Sequence, residues 1–122
     1  MILSIIIPVY NEEKTVIEIL KKIKNNSSNR FKYEIIVIDD ASTDQSRKLL
    51  ENNKNLYDKL LVNESNKGKG FSVKKGISTA SGTHIIFQDA DLEYDPTDYK
   101  KFEKIFLDFD ADGIIGSRFV YS

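Results

Sequence analysis

The chain has no cysteine, which excludes disulfides and thiolate metal sites and fits the cytosol. Its single histidine, His84, lies inside an apolar stretch and is expected to be structural, so no histidine cluster exists to hold a metal. No apolar run approaches the roughly 18 residues that a membrane helix needs. The stretch Met1–Ile7 lacks a basic start and is stopped by Pro8, so it does not read as a signal peptide. Charge of one sign is also missing. A net charge of −1 gives no electrostatic reason to expect nucleic acid as a partner. What is present is ordinary for a globular chain: 122 residues, 40% apolar and 30% charged. That is one small domain, residues 1–122, or a piece of a larger one.

Two hydrophobic periods alternate along it. Leu3–Ile7 is an Ile-rich run closed by Pro8, the pattern of a strand buried on both faces. Val16, Ile19, Leu20 and Ile23 then fall at helical spacing between Glu12 and Asn25. Glu34–Ile38 reads as a second buried strand. Ser42 and Gln45 match a capping box that opens a helix carrying Leu49 and Leu50 inward. Lys59–Val62 is a short strand. Val73, Ile77 and Ala80 form another helical stripe, with Gly82 placed to cap its end. Thr83–Gln88 is a strand, Asp95-Pro96 opens a helix with Tyr99, Phe102, Phe106 and Phe109, and Ala111–Ile115 closes as a strand. The order βαβαβαβαβ predicts an α/β fold: a mostly parallel, Rossmann-like sheet with helices on both faces.

In such open sheets the ligand sits beyond the C-terminal ends of the strands. Those ends carry Pro8-Val9-Tyr10-Asn11-Glu12, Asp39-Asp40-Ala41-Ser42, Asp89-Ala90-Asp91 with Glu93, and Gly116-Ser117-Arg118. Acids spaced as Asp89, Asp91 and Glu93 are hard oxygen ligands, suited to Mg²⁺ or Mn²⁺ beside phosphate. The bland alternative is a solvated acidic turn. Asp39 is expected to point into the crevice and accept hydrogen bonds from a base or ribose, while Asp40 or Ser42 caps the next helix. Tyr10 could fill the core or stack on a base, and Glu12 could be a first-turn acid favoured by the helix dipole. The loop Asn66-Lys67-Gly68-Lys69-Gly70 is neither a Walker A loop nor a full GxGxxG fingerprint. Opening a helix, it would offer an anion free backbone N–H groups and a basic side chain. Lys21, Lys22 and Lys24 read as a solvated helix face.

Five segments carry a resemblance. They are Ser4–Glu13 (SIIIPVYNEE), Glu34–Asp44 (EIIVIDDASTD), Asn66–Gly70 (NKGKG), Gln88–Pro96 (QDADLEYDP) and Gly116–Arg118 (GSR). Together they resemble family 2 glycosyltransferases of the GT-A fold, in the branch of dolichol- or polyprenyl-phosphate sugar transferases. The resemblance implies that Pro8, Tyr10, Glu12, Val37 and Asp39 contact the nucleotide of a GDP- or UDP-sugar, with Asp40, Lys69 and Ala90 on the same substrate-binding rim. Asp89 would touch the donor, Asp91 and Glu93 would hold Mg²⁺ or Mn²⁺, and Arg118 would reach a phosphate; Asp89, Asp91 and Arg118 are the implied catalytic set. The acceptor would be a polyprenyl phosphate, the outcome inversion, and the location cytoplasmic and peripheral at the inner membrane face. The family's acceptor half lies beyond the last residue, Ser122, so the chain is expected to be a donor-binding part that self-associates and transfers sugar poorly alone. Alternatives are a non-catalytic nucleotide-sugar-binding module and a transferase acting on a saccharide hydroxyl. A metal phosphohydrolase is disfavoured by the lack of a histidine cluster.

Overall fold

A computed structural model describes residues 1–26 and 30–90, with two further strands at 113–115 and 118–120. A six-stranded sheet runs in the order β3-β2-β1-β4-β5-β6. Its strands are β1 (Ile2–Val9), β2 (Lys32–Asp39), β3 (Lys59–Val62), β4 (His84–Phe87), β5 (Gly113–Ile115) and β6 (Arg118–Val120). The first five run parallel, and β6 alone pairs antiparallel, with Arg118 opposite Ile115. The expected parallel architecture is observed, with this added edge strand. Arg118 therefore opens a strand instead of hanging from the end of one. The helix expected after Pro96 falls outside the described residues.

The alternation of strand side chains explains why β1 is apolar at every position but Ser4. Leu3, Ile5, Ile7 and Val9 face one core with Val16, Ile19, Leu20 and Ile23 of α1 (Val16–Asn25) and Leu50 of α2 (Ser46–Glu51). Ile6 faces the other side with Ile36, Ile38 and Phe87, beneath Val73 of α3 (Lys69–Thr79). Each fully buried Ile contributes about 1.5–3 kcal/mol relative to exposure. With β1 in the middle of the sheet, neither of its faces is left to solvent.

Helix boundaries depart from the sequence pattern where polar side chains intervene. Glu12–Thr15 forms a turn whose Glu12 carbonyl accepts from the Thr15 and Val16 N–H groups, so α1 starts at Val16. The capping box is not formed. Gln45 precedes α2 without a side-chain cap, and Asp44 accepts the Ser46 N–H at 2.8 Å instead. Gly82 is no left-handed cap either, because Gly68 is the only glycine with positive φ among the described residues. Gly82 is needed for space: a Cβ there would lie 2.3 Å from the Ser4 hydroxyl oxygen.

Candidate functional site

Strand order reverses between β1 and β4: the chain steps outward one way through β2 and β3, and the other way through β5 and β6. A crevice is expected at such a switch point, beyond the strand ends. A cavity of about 290 Å³ lies there, lined by residues leaving β1 (Pro8, Val9, Tyr10, Glu12), β4 (Asp89, Ala90) and the start of α3 (Lys69, Ser72), with Asp40 from β2. The structure thus brings Pro8, Tyr10, Glu12, Asp40, Lys69, Asp89 and Ala90 together around one cavity. Tyr10 lines the cavity and is 44% exposed.

Three predicted site residues are placed differently from expectation. Val37 is fully buried within the apolar core, because its position in β2 turns it toward Ile5, Ile7 and the α1 side of the sheet. Asp39 is also fully buried, and its two oxygens accept from the Ser42 hydroxyl at 2.6 Å and the Ser42 N–H at 3.3 Å. Its carboxylate bonds within its own turn, next to Asp40, which lines the cavity. Asp40 does not cap α2. One of its oxygens accepts from the Lys67 N–H at 2.7 Å and from Asn63 Nδ2 at 2.8 Å, the other from the Gly68 N–H at 2.9 Å.

That arrangement also corrects the expected anion-binding loop. The N–H groups of Lys67 and Gly68 already have a carboxylate, supplied by the chain itself. Burial by itself would raise the Asp40 pKa, but the hydrogen bonds from Lys67, Asn63 and Gly68 and the nearby Lys67 charge hold it below 3.8. Gly68 supports the geometry with φ of 94°, a backbone region that L side chains rarely adopt. Lys69 then starts α3, and its ammonium pairs with Asp89 across the cavity. Their side chains are 58% and 25% exposed, respectively.

A second set of contacts zips the loop after β1 to the loop after β2. Asn11, at φ 53°, accepts the Thr43 and Asp44 N–H groups through its side-chain carbonyl, at 2.8 and 3.2 Å. Its own N–H donates to the Ser42 hydroxyl at 3.0 Å. Glu12 N–H donates to the Ser46 hydroxyl at 2.8 Å, and Glu13 N–H to Asp44 at 3.2 Å. Burial opposes ionisation of Asp44, but donation from Ser46 and Glu13 lowers its pKa below the usual value. Sequence reasoning named Asn11, Glu12 and Ser42 at the strand exits but not these contacts between them, and it missed buried Asn63 and Ser72, whose side chains bond at 3.0 Å. The available signal was a polar residue directly after β3 and a serine on the inward stripe of α3.

Thr15 connects the two sides of the rim, its hydroxyl donating to the Ala90 carbonyl. Asp91 and Glu93 lie outside the described residues, as does the side chain of Arg118. Among the described residues no three potential metal-ligating side chains cluster. None of the helices described is long and apolar enough to cross a membrane.

Comparison with known proteins agrees with this geometry. The chain is 36% identical over 129 residues to a dolichyl-phosphate beta-glucosyltransferase of Dictyostelium discoideum, covering 95% of itself and 39% of that relative. It superimposes on S. aureus TarS 1-349 in complex with UDP-GlcNAc with a TM-score of 0.77, at 27% identity, over 92% of itself and 33% of that chain. It also matches the mannosyltransferase PcManGT of Pyrobaculum calidifontis, solved with GDP-Man and Mn²⁺, at TM-score 0.66 and 29% identity, over 79% of itself and 29% of that chain. The chain therefore spans well under half the length of these three proteins. The sheet, its switch-point cavity and these likenesses describe a GT-A glycosyltransferase fold. The glycosyl transferase family 2 domain matches residues 4–122, and the chain belongs to that family.

Proposed function

We propose that residues 1–122 form the donor-binding domain of a glycosyltransferase that moves a sugar from a nucleoside-diphosphate sugar to a polyprenyl phosphate. The observation that carries this is the convergence of Tyr10, Glu12, Lys69 and Asp89 on one cavity at the sheet's switch point. Tyr10 offers a stacking face for the base, and Lys69 a cation for the diphosphate. Asp39 marks the base end: each of its oxygens takes one donor here and has capacity for a second.

Asp89 stands on the open rim at the β4 exit, and Asp91 and Glu93 follow it in sequence, so the donor set is all oxygen and fits Mg²⁺ or Mn²⁺. A cation bound there would stabilise negative charge on the departing nucleoside diphosphate. The chain's own residues orient the donor and hold its phosphates. A polyprenyl phosphate acceptor needs no general base, since a phosphate monoester with a second pKa near about 6 is already largely anionic at neutral pH. The likeness to a dolichyl-phosphate glucosyltransferase supports this acceptor class, and the PcManGT complex supports the use of a divalent cation.

Calorimetry with UDP and GDP, with Mn²⁺ and with EDTA, tests the proposal. One of the two nucleotides binds much more tightly with Mn²⁺, and Asp91→Asn removes that difference without unfolding the chain. Equal affinity with and without metal overturns it.

A further inference from the structure

Lys69 is an unfavourable choice for the first residue of an 11-residue helix. The N-terminal end of a helix carries partial positive charge, so a cation there is disfavoured, and no acid in the first turn compensates it. Its partner lies elsewhere: Asp89, twenty residues on and across the cavity. The backbone that presents Lys69 is fixed, because Asp40 binds the two preceding N–H groups and Gly68 sets the turn. The side chain is not fixed in the same way. It is more than half exposed, on a flexible four-carbon stem.

We propose that Lys69 is an exchangeable counter-ion, pairing with Asp89 and passing to the donor diphosphate when that carboxylate is taken up by a divalent cation. This rests on the function proposed above and assigns its positive charge a sequence of partners. An exposed ion pair contributes little, so breaking it opposes donor binding only weakly. The helix start then has its compensating anion from the ligand, at the end of the dipole where anions are favoured. Lys69 in this role is a positioning residue for Asp89 and a binding residue for the diphosphate. Ligation of the cation by Asp89 competes with the Lys69 pair, so removing the ammonium has opposite effects on the two ligands.

The test uses the whole chain and the variants Lys69→Met and Lys69→Arg. Mn²⁺ alone is titrated by electron paramagnetic resonance, and UDP, GDP and inorganic diphosphate are titrated by calorimetry at saturating Mn²⁺. Lys69→Met is expected to bind Mn²⁺ about twofold to fivefold more tightly, the worth of an exposed ion pair. The same variant binds the diphosphates about tenfold more weakly, the loss of a charged hydrogen bond. Lys69→Arg stays near wild type in both. A merely structural lysine would weaken both ligands or neither. Mn²⁺ affinity unchanged or reduced in Lys69→Met overturns the exchange, whatever the nucleotides do. Absence of UDP and GDP binding by wild type overturns the functional proposal instead, and the Mn²⁺ comparison still decides the exchange.

Discussion

The exits of β2 and β4 both end in aspartate, yet the two are chemically unlike. At β2, Asp39 and Asp40 are buried and their oxygens accept from Ser42, Asn63, Lys67 and Gly68. At β4, Asp89 is a quarter exposed and pairs with a mobile-stemmed lysine. An acid at a strand exit is therefore not yet a ligand. What separates the two is where its acceptor capacity goes. The β2 exit uses carboxylates to build the rim, fixing the loops after β1, β2 and β3 against one another. The β4 exit keeps its carboxylate on the cavity wall with a partner it can give up cheaply.

The sharpest way to break this comparison is to truncate one acid on each side. Asp40→Ala leaves the Lys67 and Gly68 N–H groups and the Asn63 amide without their acceptor, and is expected to cost about 3 kcal/mol of stability. Asp89→Ala removes one exposed ion pair and is expected to cost about 1 kcal/mol or less. Urea unfolding of both variants measures the contrast. Equal losses would mean that the β4 exit is as much a structural element as the β2 exit.

Ligand affinity separates the two acids of β2 from each other. Asp39→Ala is expected to weaken UDP or GDP by about 1–3 kcal/mol, the range for a donor left unpaired, while inorganic diphosphate binds as before. If both weaken alike, Asp39 acts through the Ser42 turn and not on the base.

Acid sharpens the same contrast through linkage. Asp40 and Asp44 have folded pKa values below 3.8, so the unfolded chain binds protons first as pH falls. Their contribution to stability is present above the unfolded value and is lost as pH drops below about 3.8 toward the folded values. Glu34, at the opposite end of the sheet, adds to this. Burial opposes its ionisation, but bonds from Ser81 and Ser4 and the Lys59 charge bring its pKa below 4.5. Asp40→Asn is expected to flatten the acid limb of a plot of stability against pH. An unchanged limb would show that the Asp40 cluster does not distinguish folded from unfolded chain.

Much of this was legible in the sequence because it rests on periodicity. The Ile-rich β1 and the Val16, Ile19, Leu20, Ile23 stripe specify their elements through burial alone, and the switch-point cavity follows from strand order. What was not legible depends on contacts far apart in the chain. Asp40 chooses Lys67 and Gly68 over the adjacent helix, 27 and 28 residues away, because parallel pairing of β2 with β3 brings that loop alongside. Ser42 looked like a capping residue on local spacing, but Asp39 and Asn11 claim its hydroxyl. Gly82 reads as a helix cap in one dimension and as clearance for Ser4 in three.

Besides the Lys69–Asp89 pair, a hydroxyl ties the β4 exit to the rest of the rim, and it gives the smallest but most selective test. The Thr15 hydroxyl donates to the Ala90 carbonyl, tying the turn before α1 to the segment between Asp89 and Asp91. Thr15→Val keeps the shape and removes the donor, at an expected cost of about 1 kcal/mol in stability. The β2-side network of Asn11, Ser42 and Asp44 does not use this hydroxyl, so the base end stays in place. Nucleoside affinity should therefore be unchanged, while affinity for the nucleoside diphosphate with Mn²⁺ falls by a few-fold as the β4 exit loosens. Calorimetry with uridine or guanosine against the corresponding diphosphate measures the difference directly. A parallel loss for both ligands would show that the rim moves as one piece, and the distinction between a built β2 exit and an adaptable β4 exit would fail.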